Sequence, residues 1–378
     1  MPELSAIDCP SPSGSGPTHG APSGQPLLAG VACCRNLPAR EGIGPAADGE
    51  LADGFLLDGR FLIRQAIGRS KMSTIYRAED QGDRGRNVAI KMPVMKIESD
   101  PVSFGRFLRE ERIGGLLHHP YLLKFVAVTA VKSRPYLVTE YLDGCTLACV
   151  LHLNRALPEN DALKIAAGIC QALRPMHDRG VIHRDLKPAN VMIRRDQTLC
   201  LMDFGLATEI ATPRSMLAAL TPLFGTPEYM SPEQVRNKKN DERTDIYSLG
   251  VILYQMLTGV LPFQHEDPWQ AAQMRATGDP VAPRKLNPAI SPQAEEIVLR
   301  AMRRKPSDRY PDVAAFRAAL DAPDQVPVTG LSGGLQPPRW RLSLQGTPFL
   351  MGGLIGLGAL ASLAALFFLL IHFSRTGR

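Results

Sequence analysis

The sequence predicts an α+β chain: a domain of two unequal lobes, the first mainly β and the second mainly α, followed by one C-terminal transmembrane helix. Three observations carry this reading. Short β-like runs come first in the domain, helical spacing takes over afterwards, and a stretch of 23 residues near the C-terminus contains no Asp, Glu, Lys, Arg or His. Strands first and helices later argue for α+β. An uncharged run of that length, coiled as a helix, slightly exceeds a hydrocarbon core of ~30 Å.

Residues 1–54 are dominated by Pro, Gly, Ser and Ala with little apolar periodicity, so they cannot bury enough surface to offset the entropy of ordering and are predicted to be a disordered tail. No basic segment leads into an apolar one before a small-residue cleavage site, which argues against a secretory signal. The domain is expected over 55–321, with the small lobe at about 55–140 and the large lobe at about 144–321. Its β-like runs are Phe61-Leu62-Ile63, Ser73-Thr74-Ile75-Tyr76, Asn87-Val88-Ala89-Ile90-Lys91 and Tyr136-Leu137-Val138-Thr139. Apolar residues recur three and four apart from Ala162 to Met176, Asp245 to Thr258 and Gln293 to Arg303, the signature of helices. Residues 322–348 read as a juxtamembrane linker, 349–371 as the membrane helix and 372–378 as a short C-terminal tail. Trp340, Arg339 and Arg341 on one side and Arg375 and Arg378 on the other suit the two interfaces, but two arginines on each side do not choose an orientation. Gly352 and Gly356 form one GxxxG, a helix-pairing face suited to a homodimer.

Composition excludes several classes. Of 378 residues 44% are hydrophobic and 21% charged, as in a globular chain, while 33 Gly and 32 Pro point to irregular segments. Lys+Arg 43 against Asp+Glu 37 leaves a net charge of +6, but no run of basic residues and no basic stripe interleaved with aromatics occurs, so no nucleic-acid partner is predicted. Cys9, Cys33, Cys34, Cys145, Cys149, Cys170 and Cys200 are odd in number, without paired CxxC units. They support neither a disulfide framework nor a zinc site, and the last four read as small buried hydrophobes in a reducing compartment.

Four separated pieces of the domain fit one job. Val88-Ala89-Ile90-Lys91 places a lysine at the end of a β-run. His183-Arg184-Asp185-Leu186-Lys187-Pro188-Ala189-Asn190 follows a helix and the Gly180 turn. Asp203-Phe204-Gly205 follows the strand-like 198–202, and Gly225-Thr226-Pro227-Glu228-Tyr229-Met230-Ser231-Pro232-Glu233 comes after that. With these motifs in this order, the stretch from about Phe61 to Leu320 resembles a eukaryotic-type (Hanks-type) Ser/Thr protein kinase domain, and with the membrane helix it looks most like the bacterial membrane-anchored kinases.

The resemblance implies a two-lobed protein-kinase-like fold, ATP and Mg²⁺ as cofactors with Mn²⁺ as a substitute, and a set of roles that follow from phosphoryl-transfer physics, where catalysis is positioning and charge neutralisation. Lys91 would contact the α- and β-phosphates, aimed by Glu110, with Glu111 as the alternative about 100° round the helix. Asp185 would orient the substrate hydroxyl, Lys187 would steady the transferring group, and Asn190 and Asp203 would supply oxygen ligands to the metal. Adenine would lie between Ala89 and Met192, with backbone groups at Glu140-Tyr141-Leu142 for the base and a small gatekeeper in Thr139. Ile67, Gly68, Ser70, Ser73 and Ile75 belong to the phosphate-covering region. His183, Asp245 and the pair Glu233 and Arg309 are expected to be architectural, and His118-His119 a turn before Pro120.

Two departures from the family stand out. The phosphate-covering loop should read GxGxxG, but here it is Gly68-Arg69-Ser70-Lys71-Met72-Ser73; two serines restrict the backbone, with weaker ATP binding expected and a hydroxyl offered to a phosphate oxygen. At Gly114, four residues after Glu110, the family places a side chain in the column that joins the lobes through Phe204 and His183. Gly114-Gly115 would therefore leave the helix loosely docked, at about 1–2 kcal/mol in helix propensity, and dependent on dimerisation or phosphorylation to settle. Arg184 before Asp185 goes with control by phosphorylation of the segment from Leu206 to Phe224, where Thr221 is the first candidate, ahead of Ser215, Thr212 and Thr208. Thr226 is expected instead to bond Asp185 and Lys187, and Lys187 points to Ser/Thr specificity.

The expected protein is an active membrane-tethered Ser/Thr kinase. It would transfer the ATP γ-phosphate to Ser/Thr hydroxyls of protein substrates in signal transduction and would autophosphorylate. Its place would be the plasma (inner) membrane of a bacterial cell, single-pass in the lipid bilayer, with the kinase domain held cytoplasmic because that is where ATP is. A pseudokinase scaffold, motivated by Ser70, Ser73 and Gly114, is the rival from another class. A nucleic-acid-binding membrane protein would rest on net charge alone and would show steep salt dependence.

Overall fold

Alternation of buried and exposed side chains builds the small lobe. In a computed structural model, which describes residues 50–70, 72–94, 100–209, 226–238, 240–336 and 338, five strands pair antiparallel in sequence order: β1 (Leu56–Leu57), β2 (Phe61–Arg69), β3 (Ser73–Asp80), β4 (Arg86–Pro93) and β5 (Leu137–Glu140). Tyr76 and Ala78 of β3 and Val88, Ile90 and Met92 of β4 turn the same way and pack with Phe61, Ile63, Tyr136 and Val138. The period of two seen in the sequence is this face. Strands β2 and β3 run further than their apolar patterns suggest, because ladder pairing carries β2 through the polar Arg64 and Gln65, with register shifts at Ile63/Gln65 and Ala66/Gly68.

One helix crosses this sheet. Helix α1 (Pro101–Leu116) starts at Asp100, whose carboxylate accepts from the amides of Val102 and Ser103, with Pro101 at the first helical position. Ser103, Phe107, Glu110 and Gly114 are buried along one stripe, so the sequence puts a glutamate on the inner face.

The large lobe is helical around one core. In chain order its elements are β6 (Gly144–Thr146), α2 (Leu147–Leu153), α3 (Glu159–His177), β7 (Val181–Ile182), β8 (Val191–Arg194), β9 (Leu199–Leu201), β10 (Thr208–Glu209), α4 (Pro232–Val235), α5 (Arg243–Thr258), α6 (Pro268–Thr277), α7 (Pro283–Leu286), α8 (Pro292–Ala301) and α9 (Val313–Asp321). Every residue of α5 from Thr244 to Tyr254 is buried, which marks it as the pillar of the lobe. Strands β6, β8 and β9 form a small sheet, and β7 pairs with β10. Those short pairings present the loops that follow β7 and β9 side by side.

Both ends of the domain reach further than the sequence suggests. Residues 50–54, expected within the tail, belong to the small lobe: Glu50 pairs with Arg69, the Leu51 amide donates to the Tyr76 hydroxyl at 3.1 Å, and the Gly54 amide donates to the Ile63 carbonyl. Beyond α9, the first part of the expected linker is a strap on the large lobe. Val326 packs against the core, and Glu296 of α8 accepts from the Thr329 hydroxyl and from the amides of Gly330 and Leu331. Asp279 accepts from the Gln336 amide at 3.0 Å, returns its own amide to the Gln336 carbonyl and pairs with Arg304. Two acidic side chains thus satisfy backbone groups that composition alone assigns to irregular chain.

Cys170 and Cys200 are buried free thiols, as expected, while the free thiol of Cys149 is half-buried. Among the described residues no helix is long and apolar enough to cross a membrane; the segment 349–371 and the tail 1–49 lie outside them. Glu296→Ala removes three hydrogen bonds from the strap and is expected to cost about 1–3 kcal/mol. Limited proteolysis with mass spectrometry should find new cleavage in 327–336 while the small lobe stays protected.

Candidate active site

The cleft between the lobes gathers the charged residues of the four motifs. Lys91, on β4, lies opposite Glu110 on α1, with Nζ at 2.9 and 2.7 Å from the two carboxylate oxygens, and 3.7 Å from Asp203 Oδ1. Burial pushes the Glu110 carboxyl up, to about 7. Burial also disfavours the Lys91 ammonium, but Asp203 and Glu110 outweigh it and hold Lys91 above the ordinary lysine value. For Asp203 burial is again opposed, by Lys91 and then Lys187, and its pKa is lowered. Glu111 is not the partner: it pairs with Lys132 on the other side of the helix.

The loop after β7 is held from below. Asp245 of α5 is fully buried and accepts from His177 Nε2 at 2.8 Å, from the His183 amide at 2.9 Å and from the Arg184 amide at 2.9 Å. Burial would raise its pKa, but the His177 bond, the neighbouring His183 ring and the Arg184 amide lower it. That grip lets Arg184 adopt a φ of 67°, a left-handed value uncommon for a residue with a side chain. The chain turns there and delivers Asp185. Its Oδ2 faces Lys187 Nζ at 2.9 Å, and its Oδ1 accepts from the amide and hydroxyl of Thr226 at 3.1 and 3.2 Å. Lys187 Nζ also donates to the Thr226 hydroxyl at 2.9 Å, and Asn190 Nδ2 donates to the Asp185 carbonyl at 2.8 Å. Both hydrogen bonds that Asn190 makes to Asp185 use its Nδ2, not its Oδ1. Asp203 has a φ of 64° and receives the Gly205 amide on Oδ1. Oxygen donors of this kind, with phosphate oxygens to complete the shell, are what a hard divalent cation takes.

On the nucleotide side, Leu142, Met192 and Cys200 form one apolar cluster, with Ala89 on β4 paired to Thr139 on β5. The Glu140 carboxylate is bound to Arg194 at 3.1 Å and to the Lys124 amide, and its own amide donates to the Lys124 carbonyl, which leaves the carbonyl oxygen, bonded by the Thr139 hydroxyl at 3.2 Å, as its acceptor toward a base. Gly68 pairs with Ile75 across the hairpin, and Ile67 falls in the register shift before it. The Ser70 hydroxyl is used differently from the expectation that it waits for a phosphate. It accepts from the amides of Met72 and Ser73, and the Ser70 amide donates to the Ser73 carbonyl at 2.9 Å. The Ser70 hydroxyl thus engages two amides, those of Met72 and Ser73, that a glycine at 70 would leave without this partner.

The loose-helix expectation is corrected by Phe125. A Cβ at Gly114 would lie 2.2 Å from the Phe125 ring, so the ring occupies the space the glycine leaves. Phe125 then packs against Phe204 in a tilted contact with centroids 6.1 Å apart, and Phe204 meets His183 edge-on at 6.0 Å. The column is complete, with its volume moved from the helix to the segment before β5. Arg112 of α1 adds an ion pair to Glu209 of β10 at 2.6 Å. Neither Phe125 nor Arg112 was singled out from the sequence; a large aromatic after His119-Pro120 opposite two helix glycines was the available signal for the first. Gly114→Leu is therefore expected to overpack the site and destabilise by about 1–3 kcal/mol in urea titration, and Phe125→Leu in the same chain should recover most of the loss. A neutral Gly114→Leu would mean the ring does not fill that space.

The structure brings Lys91, Glu110, Asp185, Lys187, Asn190, Asp203 and Thr226 into one cleft. Glu233 and Arg309 form a bidentate buried pair at 2.7 Å away from it. Thr208 lies in β10 against Ile182, while Thr212, Ser215 and Thr221 lie outside the described residues.

A comparison with known families finds the protein kinase domain over residues 61–320. The chain is 36% identical over 268 residues to the serine/threonine-protein kinase PknB of Mycolicibacterium smegmatis, covering 70% of this chain and 43% of that one. It is 37% identical over 268 residues to PknB of Mycobacterium leprae, with the same coverage, and 36% identical over 276 residues to a probable serine/threonine-protein kinase of Streptomyces coelicolor, covering 70% and 40%. This chain belongs to the protein kinase family. It spans less than half the length of the curated relatives it matches.

Proposed function

We propose that the chain is an active, membrane-tethered Ser/Thr protein kinase that uses ATP with Mg²⁺. The observation that carries the activity is the assembled cleft: Lys91 already paired with Glu110, and Asp185 already held by Lys187, Asn190 and Thr226. Bound Mg²⁺ would neutralise phosphate charge, with Asn190 and Asp203 as its protein ligands. Lys91, aimed by Glu110, orients the α- and β-phosphates. Asp185 accepts a hydrogen bond from the incoming Ser or Thr hydroxyl and takes its proton as the new oxygen–phosphorus bond forms and the bond to the β-phosphate oxygen breaks. Lys187, between Asp185 and Thr226, steadies the charge on the group in transit.

Anchoring is supported by the uncharged segment 349–371 and its flanking arginines and tryptophan. A need for ATP places the catalytic domain on the cytoplasmic side of the plasma membrane. Autophosphorylation at Thr221, Ser215 or Thr212 is supported by Arg184 beside Asp185. The partners of this reading are protein substrates, the bilayer and, through Gly352 and Gly356, a second copy.

Transfer of labelled γ-phosphate is the test. The chain with ATP and Mg²⁺ should label Ser or Thr. Asp185→Asn and Lys91→Met should each reduce the rate at least a hundredfold with thermal stability kept, and EDTA should abolish it. Nucleotide binding without transfer would favour the scaffold reading, for which the closed Ser70–Ser73 tip is the observation. Recovery of the chain from membranes by detergent but not by salt checks the anchor.

A further inference from the structure

Arg275 is a buried charge without a counter-charge. It sits on α6, is 0% exposed, and has no carboxylate within ion-pair distance among the described residues. Its near neighbours Ala272, Ala276, Met230 and Val235 form a small apolar cluster, and the guanidinium carbon stands 5.6 Å from the Phe263 ring centre. Burial of such a group is costly unless its donors are paired; here both Nη atoms are paired, while Nε has no partner among the described residues. What it meets is backbone: Nη1 donates to the carbonyls of Pro227 and Met230, and Nη2 to that of Glu228 at 2.8 Å. The remaining carbonyl of the run, at Tyr229, accepts from Ser248 Oγ at 2.9 Å. Four successive carbonyls are thus held by two core side chains, three of them by one guanidinium.

The segment so held begins where the chemistry is. Thr226, its immediate predecessor, bonds Asp185 and Lys187. On its far side Ser231 and Gln234 form a capping box that starts α4. A peptide whose hydroxyl reaches Asp185 lies beside Thr226 and so runs close to 227–230. We infer that Arg275 is a positioning residue for the protein substrate: by clamping the carbonyls of 227–230 it sets the surface that receives the peptide beside the phosphoacceptor. A planar fork can serve three carbonyls at once, whereas a lysine ammonium at this depth cannot span them. This rests on the kinase reading above.

The test uses the full chain with Arg275→Met, which suits the apolar cluster, and Arg275→Lys, which keeps the charge. With dephosphorylated casein as acceptor, both should raise the KM for casein at least tenfold while the KM for ATP stays within twofold. Hydrogen exchange at the amides of 228–231 should speed at least tenfold in both, with α1 unchanged. Exchange and casein KM equal to those of the parent chain would overturn the inference, as would parallel rises in both KM values, the mark of a merely structural role. If the parent chain transfers no phosphate, the kinase reading fails by itself, and the exchange measurement still decides whether Arg275 holds the loop.

Discussion

The carboxylate of Asp245, in the first turn of a helix buried along most of its length, is the contact on which the cleft depends. A buried charge survives only when its lone pairs are filled, and here they are filled by the amides of His183 and Arg184 and by the His177 ring. The bonds work both ways. They stabilise the carboxylate, and they hold the backbone in the left-handed turn that puts Asp185 at the mouth of the cleft. Helix α5 is therefore both core and foundation, since its apolar residues place the one charged group that fixes the loop.

Above that foundation, beside the Arg112–Glu209 ion pair, three contacts of different chemistry join the two lobes. The ion pair of Lys91 with Glu110 lies within the small lobe but reaches Asp203 of the large one. The column of Phe125, Phe204 and His183 is apolar, and the hinge latch of Glu140 to Arg194 is polar. The middle contact shows how packing tolerates an exchange of volume. Gly114 on the helix and Phe125 beside it form a small–large pair, and cores accept such swaps when the total is kept. A helix that loses a side chain is not thereby loosened if a neighbour grows into the gap.

The serine-substituted phosphate loop and the strap from Ala322 to Gln336 share a principle. In each, a side-chain oxygen answers backbone amides that would otherwise face water: Ser70 at the hairpin tip, Glu296 and Asp279 along the strap. Local composition predicts irregular chain in both places, and irregular it is, yet both are held in place by polar side chains.

Order and identity of the charged motifs were legible in the sequence because each residue's chemistry is intrinsic: a strand lysine, an aspartate followed by lysine and asparagine, an aspartate before Phe-Gly. The β-then-α architecture was legible too, since periods of two and of three to four survive in one dimension. Partner choice was only half legible. Glu110 rather than Glu111 faces Lys91 because of the phase of α1, and that phase is set by which stripe the sheet buries. Phe125, the Arg275 clamp, the inward use of the Ser70 hydroxyl and the docked strap were decided by tertiary structure alone. Each depends on groups far apart in the chain meeting at van der Waals or hydrogen-bond distance, and no local pattern encodes which space a neighbour leaves empty.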